Sequence, residues 1–305
     1  MKQNSYIFRL GIFTVIVTLF ACHKSVSDST QAPVTTPQTQ HDSTQPIKKD
    51  TPVAPVAPYP AAPLTGCSYD PSYGDSIIFP QPTNGQDYIV TPVNSPGPGK
   101  YMAWPVGLAI DSVTGAIDVT KSYTGERYEI GFVKAGTTDT CLTPLIIGGA
   151  DYMDSVYVIA NGATQALPYF DANPYLPSPC TGPNSCSFDV TGSAASAKVI
   201  VNKSTGDIDL AKTLNGSLLG LGGAFGLIPT NGQTASATIY YKINDASNNA
   251  LQQITVSMVY YDSKSNMSVG LLNNIVGKLD DILNGQIIFG GGNPRPPLIV
   301  IVRRL

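Results

Sequence analysis

Ile110 to Gly125 reads IDSVTGAIDVTKSYTG and Val201 to Gly216 reads VNKSTGDIDLAKTLNG, an offset of 91 residues at which six of sixteen positions are identical. The identities are Thr114 with Thr205, Gly115 with Gly206, Ile117 with Ile208, Asp118 with Asp209, Lys121 with Lys212 and Gly125 with Gly216. In the first copy Leu108, Ile110, Ile117 and Val119 alternate with polar or small residues, and in the second Val199, Val201, Ile208 and Leu210 do the same. That period of two is the pattern of half-buried strands. The Thr-Gly pair between the two runs supplies the φ > 0 position that a short turn with a bulge requires. Each copy therefore predicts a β-hairpin, and the repeat predicts two modules of one kind.

The flanking sequence agrees. Asp75 to Phe79, Gln86 to Val93, Arg127 to Val133, Cys141 to Ile147, Val156 to Ala160, Ala235 to Ile243 and Gln252 to Tyr261 are rich in Ile, Val, Tyr and Thr and are separated by Gly, Pro and Asn, which predicts strands. Pro297 to Leu305 reads as a last strand. The motif (I/V)-(D/N)-x-x-T-G-x-I-D resembles a hairpin of immunoglobulin-like and cadherin-like repeats in bacterial surface proteins, over about 16 residues in each copy. The resemblance implies an all-β body of two tandem immunoglobulin-like β-sandwich modules, at 65–186 and 187–305. A body of 241 residues suits two such modules of about 100 residues each plus additions. The segment Asn161 to Cys186, with five prolines, is the expected join, and Leu218 to Asn231 an irregular insertion. One stretch departs from the β pattern. In Leu271 to Leu283 the residues Leu272, Ile275, Val276, Leu279 and Leu283 recur at helical spacing, with Gly285 placed as a C-terminal cap, so a short helix packed over one sheet is expected.

Ahead of the body, Lys2 and Arg9 precede the uncharged run Leu10 to Phe20. The run is too short to span a bilayer, which takes about 20 apolar residues, and reads as an export signal over 1–21. Leu19-Phe20-Ala21-Cys22 resembles the lipobox of bacterial lipoproteins. The resemblance implies acylation of Cys22, with palmitate among the acyl chains, and, since His23 rather than Asp follows, an outer-membrane destination. Residues 22–64 are dominated by Ser, Thr, Gln and Pro, with Tyr59 the sole aromatic. Such a segment cannot bury enough apolar surface to offset its ordering entropy; it is expected to be a tether spanning about 35 Å or more. With Cys22 assigned to lipid, four cysteines remain: Cys67, Cys141, Cys180 and Cys186. Three pairings are open. The simplest staples the local Cys180–Cys186 loop and leaves Cys67 with Cys141, stabilising by about 2 to 3 and about 4 to 5 kcal/mol respectively on the chain-entropy model.

Composition narrows the chemistry. The chain has two histidines, His23 and His41, both in the tether, and two glutamates, Glu126 and Glu129. That disfavours His-based hydrolases and His-ligated metals. Glu126 and Glu129, three apart on a strand, point to opposite faces, against an acid/base pair for glycoside cleavage. The Gly220 to Gly226 run GLGGAFG has Phe225 at the third glycine position and no βαβ context, against a dinucleotide loop. Asp207 and Asp209, like Asp151 and Asp154, invite a calcium reading, but that ion wants six to eight oxygens and the first copy has Ala116 opposite Asp207, so Asp207 and Asp209 are weak candidates, solvated surface charges are favoured and no metal is expected. Beyond residue 64 there are 13 basic and 18 acidic side chains with no basic stripe, which disfavours nucleic acid. Trp104, Tyr101, Tyr123, Tyr240 and Tyr260 are the candidate ligand contacts, as rings that stack on sugars or anchor a protein partner. No cofactor is expected. The chain is thus expected to be a non-catalytic, lipid-anchored surface protein whose modules mediate adhesion or protein binding. The alternative is a glycan-binding accessory lipoprotein, similar in layout to starch-utilisation-type surface lipoproteins; an Asp-based hydrolase is the least supported reading.

Overall fold

A computed structural model describes residues 67–94, 96–216, 222–283 and 297–305. The export signal, Cys22, the tether, part of the glycine-rich run and Gly285 lie outside the described residues. The described residues belong to one compact unit and are predominantly β.

The first half carries β1 (Ile77–Ile78), β2 (Ile89–Val90), β3 (Gly99–Trp104), β4 (Ile117–Asp118), β5 (Glu126–Lys134) and β6 (Thr140–Ile147). The second carries β7 (Ala150–Tyr152), β8 (Ser155–Val158), β9 (Gln165–Ala166), β10 (Pro168–Phe170), β11 (Cys186–Phe188), α1 (Ser193–Ser196), β12 (Ile208–Asp209), α2 (Leu210–Asn215), β13 (Gln233–Ile243), β14 (Gln252–Ser263), α3 (Val269–Leu283) and β15 (Leu298–Arg304). The main sheets run β1-β6-β5-β3 and β8-β15-β14-β13-β11. Both expected disulfides are present, Cys67–Cys141 and Cys180–Cys186.

The repeat is a pair of hairpins with matching hydrogen bonds. Ile110 bridges Ile117 as Val201 bridges Ile208. The Asp111 amide donates to the Ala116 carbonyl and the Asn202 amide to that of Asp207, both at 2.8 Å. The Asp111 and Asn202 side chains each accept from backbone amides two and three residues on, which closes the turn locally. Lys121 and Lys212 reach back to Asp118 and Asp209 at 2.7 and 2.8 Å. The Ala109 and Ile200 amides donate to the hydroxyls of Ser122 and Thr213, each at 3.0 Å.

The match extends beyond the aligned residues. Tyr101 on β3 and Phe188 on β11 donate their amides to the hairpin carbonyls of Ser112 and Lys203, and their rings lie against Gly115 and Gly206. Tyr73 and Tyr152 then donate their hydroxyls to the carbonyls of the same glycines, at 2.7 and 2.5 Å. Each turn is held between an aromatic face and a phenol, which seats the hairpin over the main sheet. The layer between them forms the core: Ile110, Ile117 and Val119 meet Tyr128, Ile130 and Phe132 in the first half, and Val199, Ile208 and Leu210 meet Ile239, Tyr241 and Ile254 in the second.

Residues 150–186, expected in the first module, contribute Ala150, Tyr152, Ala166 and Phe170 to the second core. The core changes between Ile147 and Ala150, and the expected join carries β9 and β10. Hydrophobic alternation marks strands without saying which sheet they enter. The second half also differs by one insertion. In the first, β1 pairs parallel with β6; in the second, β15 lies between β14 and β8, parallel to both. Flanked on both edges, β15 is apolar and buried from Ile299 to Val302. Its outward residues Val300 and Val302, with Val156, Val158 and Val259, need cover, and α3 supplies it through Ile275 and Leu271. The helix is as expected, starting two residues earlier at Val269. Val276 and Leu283, expected on its apolar face, are exposed. Asp154 pins this layer: it accepts from the Leu298 amide at 2.8 Å and faces Lys278 of α3 at 3.7 Å.

Two outcomes follow for stability. Gly115 and Gly206 have φ of +71° and +84°, and a Cβ would come within 2.6 and 2.7 Å of the Tyr101 and Phe188 rings. Gly206→Ala should therefore cost about 2 to 4 kcal/mol, adding left-handed strain to overpacking. Gly136→Ala, at φ +82° in open space, should cost about 1 kcal/mol; equal urea midpoints would refute the clasp. The second concerns acid. Burial pushes the Asp154 carboxyl above the usual range, partly offset by Lys278 and the Leu298 amide. A carboxyl raised on folding adds stability that is complete below its unfolded value and lost as pH rises through the folded one. Wild type should gain stability relative to Asp154→Asn between pH 7 and pH 4, read from urea midpoints.

Candidate functional site

The chain after β1 forms a loop, residues 80–87. Its Thr83-Asn84-Gly85-Gln86 turn closes with the Gln86 amide donating to the Thr83 carbonyl at 3.0 Å, with Asn84 and Gly85 both at positive φ, as a tight turn of this type requires. Gln81 carries the loop across to the second half. Its amide donates to the Ala246 carbonyl at 2.8 Å and its Oε1 accepts from Asn248 at 2.7 Å. At the other end Lys121 joins Asp87 at 2.5 Å, and Asp118 and Asp87 raise the Lys121 ammonium above its ordinary value.

Between this loop and the β13–β14 hairpin runs an open groove of about 480 Å³. The loop supplies one wall and Tyr240, Lys242, Leu251 and Gln253 much of the other; Thr120, Ser122 and Thr124 close one side and Gln252 lies in the floor. The lining is dominated by amides and hydroxyls.

Below the floor sits Tyr241, fully buried. Its phenol oxygen accepts from the Ala150 amide at 2.9 Å. Gln252 Oε1, 3.0 Å away, can only accept, so the phenol proton goes there. The Thr124 hydroxyl, at 2.6 Å, then donates to the phenol. One side chain of the second half thus binds Thr124 and Ala150 and fixes the Gln252 amide. Gly149 makes room: a Cβ there would lie 2.4 Å from Gln252 Oε1 and 2.7 Å from the phenol oxygen. Burial pushes the phenol well above its ordinary value, so it remains a donor. With Oε1 held inward, Gln252 Nε2 has no hydrogen-bond partner although the residue is only 4% exposed. A buried donor left unmade costs about 1 to 3 kcal/mol.

Of the ligand contacts expected from sequence, Tyr240 alone lines the groove. Trp104, Tyr101 and Tyr260 are 4%, 5% and 2% exposed. They are core residues: Trp104 packs on Gly131, Tyr101 on Gly115 and Phe132, and Tyr260 against Phe225. Alternation shows that a ring faces one side of a strand, and here the same half's hairpin, a neighbouring strand or a loop covers that side. Tyr123 is half-buried beside Gly107, where desolvation and Glu126 raise its phenol. The aspartates are likewise engaged. Asp209 accepts from the Lys212 amide at the start of α2, Asp207 is half-buried and its charge helps to raise the Tyr152 phenol, and Asp151 accepts from Tyr169 at 2.9 Å. Among the described residues, one group of thiol and carboxylate side chains is close enough to share an ion, Cys67, Asp70 and Cys141, and its sulfurs are bonded to each other. Of the described part of the glycine-rich run, Gly223 abuts the carbonyls of Thr213 and Leu214 in α2, where it serves close packing, while Phe225 fills the core. Gln252 was missed. Its signal was available: it falls in register with Ile254 and Val256, a polar residue on the apolar face of a strand.

No protein-family model and no curated protein matches the chain. Among solved structures, the crystal structure of Drosophila N-cadherin EC1-4 matches at 9% identity and a TM-score of 0.19, over 60% of this chain and 49% of that one. The chain spans about half the length of that structure. The all-β assignment rests on the paired strands themselves. Among the described residues no helix is long and apolar enough to cross a membrane.

Tyr241→Phe should leave the Ala150 amide and Gln252 Oε1 without their partner, lowering stability by about 1 to 3 kcal/mol and speeding hydrogen exchange at Ala150. Unchanged exchange there would show that the phenol does not hold the Ala150 amide.

Proposed function

We propose that this protein is a lipid-anchored, extracytoplasmic binding protein, held to the outer membrane through Cys22, whose β body mediates adhesion or protein contact without catalysis. The single observation that carries the binding reading is the groove. It is open, built from both halves, and walled by a loop tied down through Gln81 and Asn248, so its shape precedes any ligand, and a preorganised site loses less entropy on binding. The two disulfides support an oxidising compartment. Lys2, Arg9, the short apolar run and Leu19-Phe20-Ala21-Cys22 support export and acylation. Two or more acyl chains suffice to anchor such a body. A glycan-binding accessory role is the second reading, favoured by the amide and hydroxyl lining.

Growth with an alkyne-tagged palmitate should label the wild-type chain and leave it in the membrane fraction, while Cys22→Ser should be unlabelled and soluble. Label on Cys22→Ser, or none on wild type, would overturn the anchor.

A further inference from the structure

We propose that the groove between the 80–87 loop and the β13–β14 hairpin is a binding site for a neutral carbohydrate chain, with the amides and hydroxyls of its lining as hydrogen-bonding partners and Tyr240 as its stacking ring. The inference rests on the reading of this protein as a binding protein and names the ligand class of that same groove.

A volume of about 480 Å³ lies within the range of small-molecule sites, about 300 to 1,000 Å³. Charge selects among ligands. The ionisable lining side chains are Asp87 and Lys242, opposite in sign, and Asp87 is already joined to Lys121. The lining side chains thus carry no net charge that would favour an anionic or a cationic ligand. Hydrogen-bonding capacity selects further. The lining offers side-chain amides and hydroxyls, each presenting donor and acceptor together. Sugar hydroxyls have that same dual character. Beneath the floor, Tyr241 holds the Gln252 oxygen and the amide nitrogen is closed to solvent, so Gln253, Asn249 and the amides of the 80–87 loop carry the hydrogen bonding to a ligand. Tyr240, half-buried beside Gln253 in the next strand, offers a ring face to the apolar face of a sugar. A peptide would call for apolar side-chain pockets, and the non-proline apolar lining is limited to Val119 and Leu251.

The same sheet face continues beyond the groove as hydroxyls. Thr238 lies opposite Thr255 with their oxygens 2.9 Å apart, and Ser236 lies opposite Ser257. These rows follow the Tyr240–Gln253 row at the two-residue strand repeat of about 7 Å. An oligosaccharide seated in the groove can therefore run out over them, and longer chains should bind more tightly than a monosaccharide.

The test uses the mature chain carrying Cys22→Ser, soluble and otherwise intact. It is applied to an array of neutral gluco-, manno-, xylo- and galacto-oligosaccharides, with uronic-acid-bearing oligosaccharides as the charged arm and a peptide array in parallel. The best hit is followed by calorimetric titration. The expected result is saturable binding to at least one neutral oligosaccharide, without preference for charged ones. Tyr240→Ala and Gln253→Ala, both on the partly exposed face, should each weaken it at least tenfold at an unchanged unfolding midpoint. Tyr175→Ala, 72% exposed and outside the groove, should bind as wild type. Neutral-glycan binding unaffected by Tyr240→Ala and Gln253→Ala would overturn the site. Peptide binding that depends on Tyr240 would overturn the carbohydrate class while leaving the binding-protein reading in place. Silence in both arrays would overturn the groove as a ligand site together with that reading, and the palmitate labelling decides the anchor independently.

Discussion

One phenol oxygen organises the junction. Tyr241 accepts from Ala150, is bonded by Thr124 and donates to Gln252, so the start of the second half, the end of the first half's hairpin segment and the floor of the groove share a single buried hub. In a fully buried setting such a network is stabilising only when its members are satisfied together. The constraint propagates outward. Gly149 must lack a Cβ, the chain must turn there from one core to the next, and the Gln252 amide must present its nitrogen away from the hub. The groove exists because the halves meet in this one way.

Within each half a second constraint recurs. A glycine in left-handed conformation, pressed by an aromatic ring and bonded through its carbonyl by a tyrosine, seats the hairpin on its sheet. The copies use Tyr101 and Tyr73 in one case, Phe188 and Tyr152 in the other, at sequence offsets of 87 and 79 rather than 91. Loops of different length separate these partners from the hairpin, so the correspondence is one of contacts. The halves diverge at the sheet edge, where the second admits β15 between β14 and β8. A strand hydrogen-bonded on both edges and apolar on both faces needs two layers of cover. The hairpin provides one and α3 the other, while β13 and its part of β14, whose outward residues are Thr, Ser, Tyr and Gln, go uncovered.

Much of the fold was legible because it depends on local spacing. Alternation of Ile, Val and Tyr found the long strands, the Thr-Gly pairs found the hairpin turns, the helical recurrence of Leu272, Ile275 and Leu279 found α3, and loop length favoured the Cys180–Cys186 staple. The candidate contacts were legible only in type. Tyr101, Trp104 and Tyr260 carry no local mark that separates a ring facing solvent from one facing the opposite layer, and three of the five proposed rings are core residues. Asp209 and Asp151, read as weak ion ligands, are held by Lys212 and Tyr169, partners that only folding reveals for the latter.

The sequence alone determined the β class, the repeated hairpin and the helix, since each follows from the order of residues within a few turns or strands of chain, and it favoured the local Cys180–Cys186 staple. Tertiary structure alone decided where one half ends and the next begins, which tyrosines are covered, and that a groove lies between Gln81 and Gln253. Those features join residues from distant parts of the chain through hydrogen bonds that leave no periodic trace. The direction of the Gln252 amide is set by a phenol on the neighbouring strand bonded to the other half.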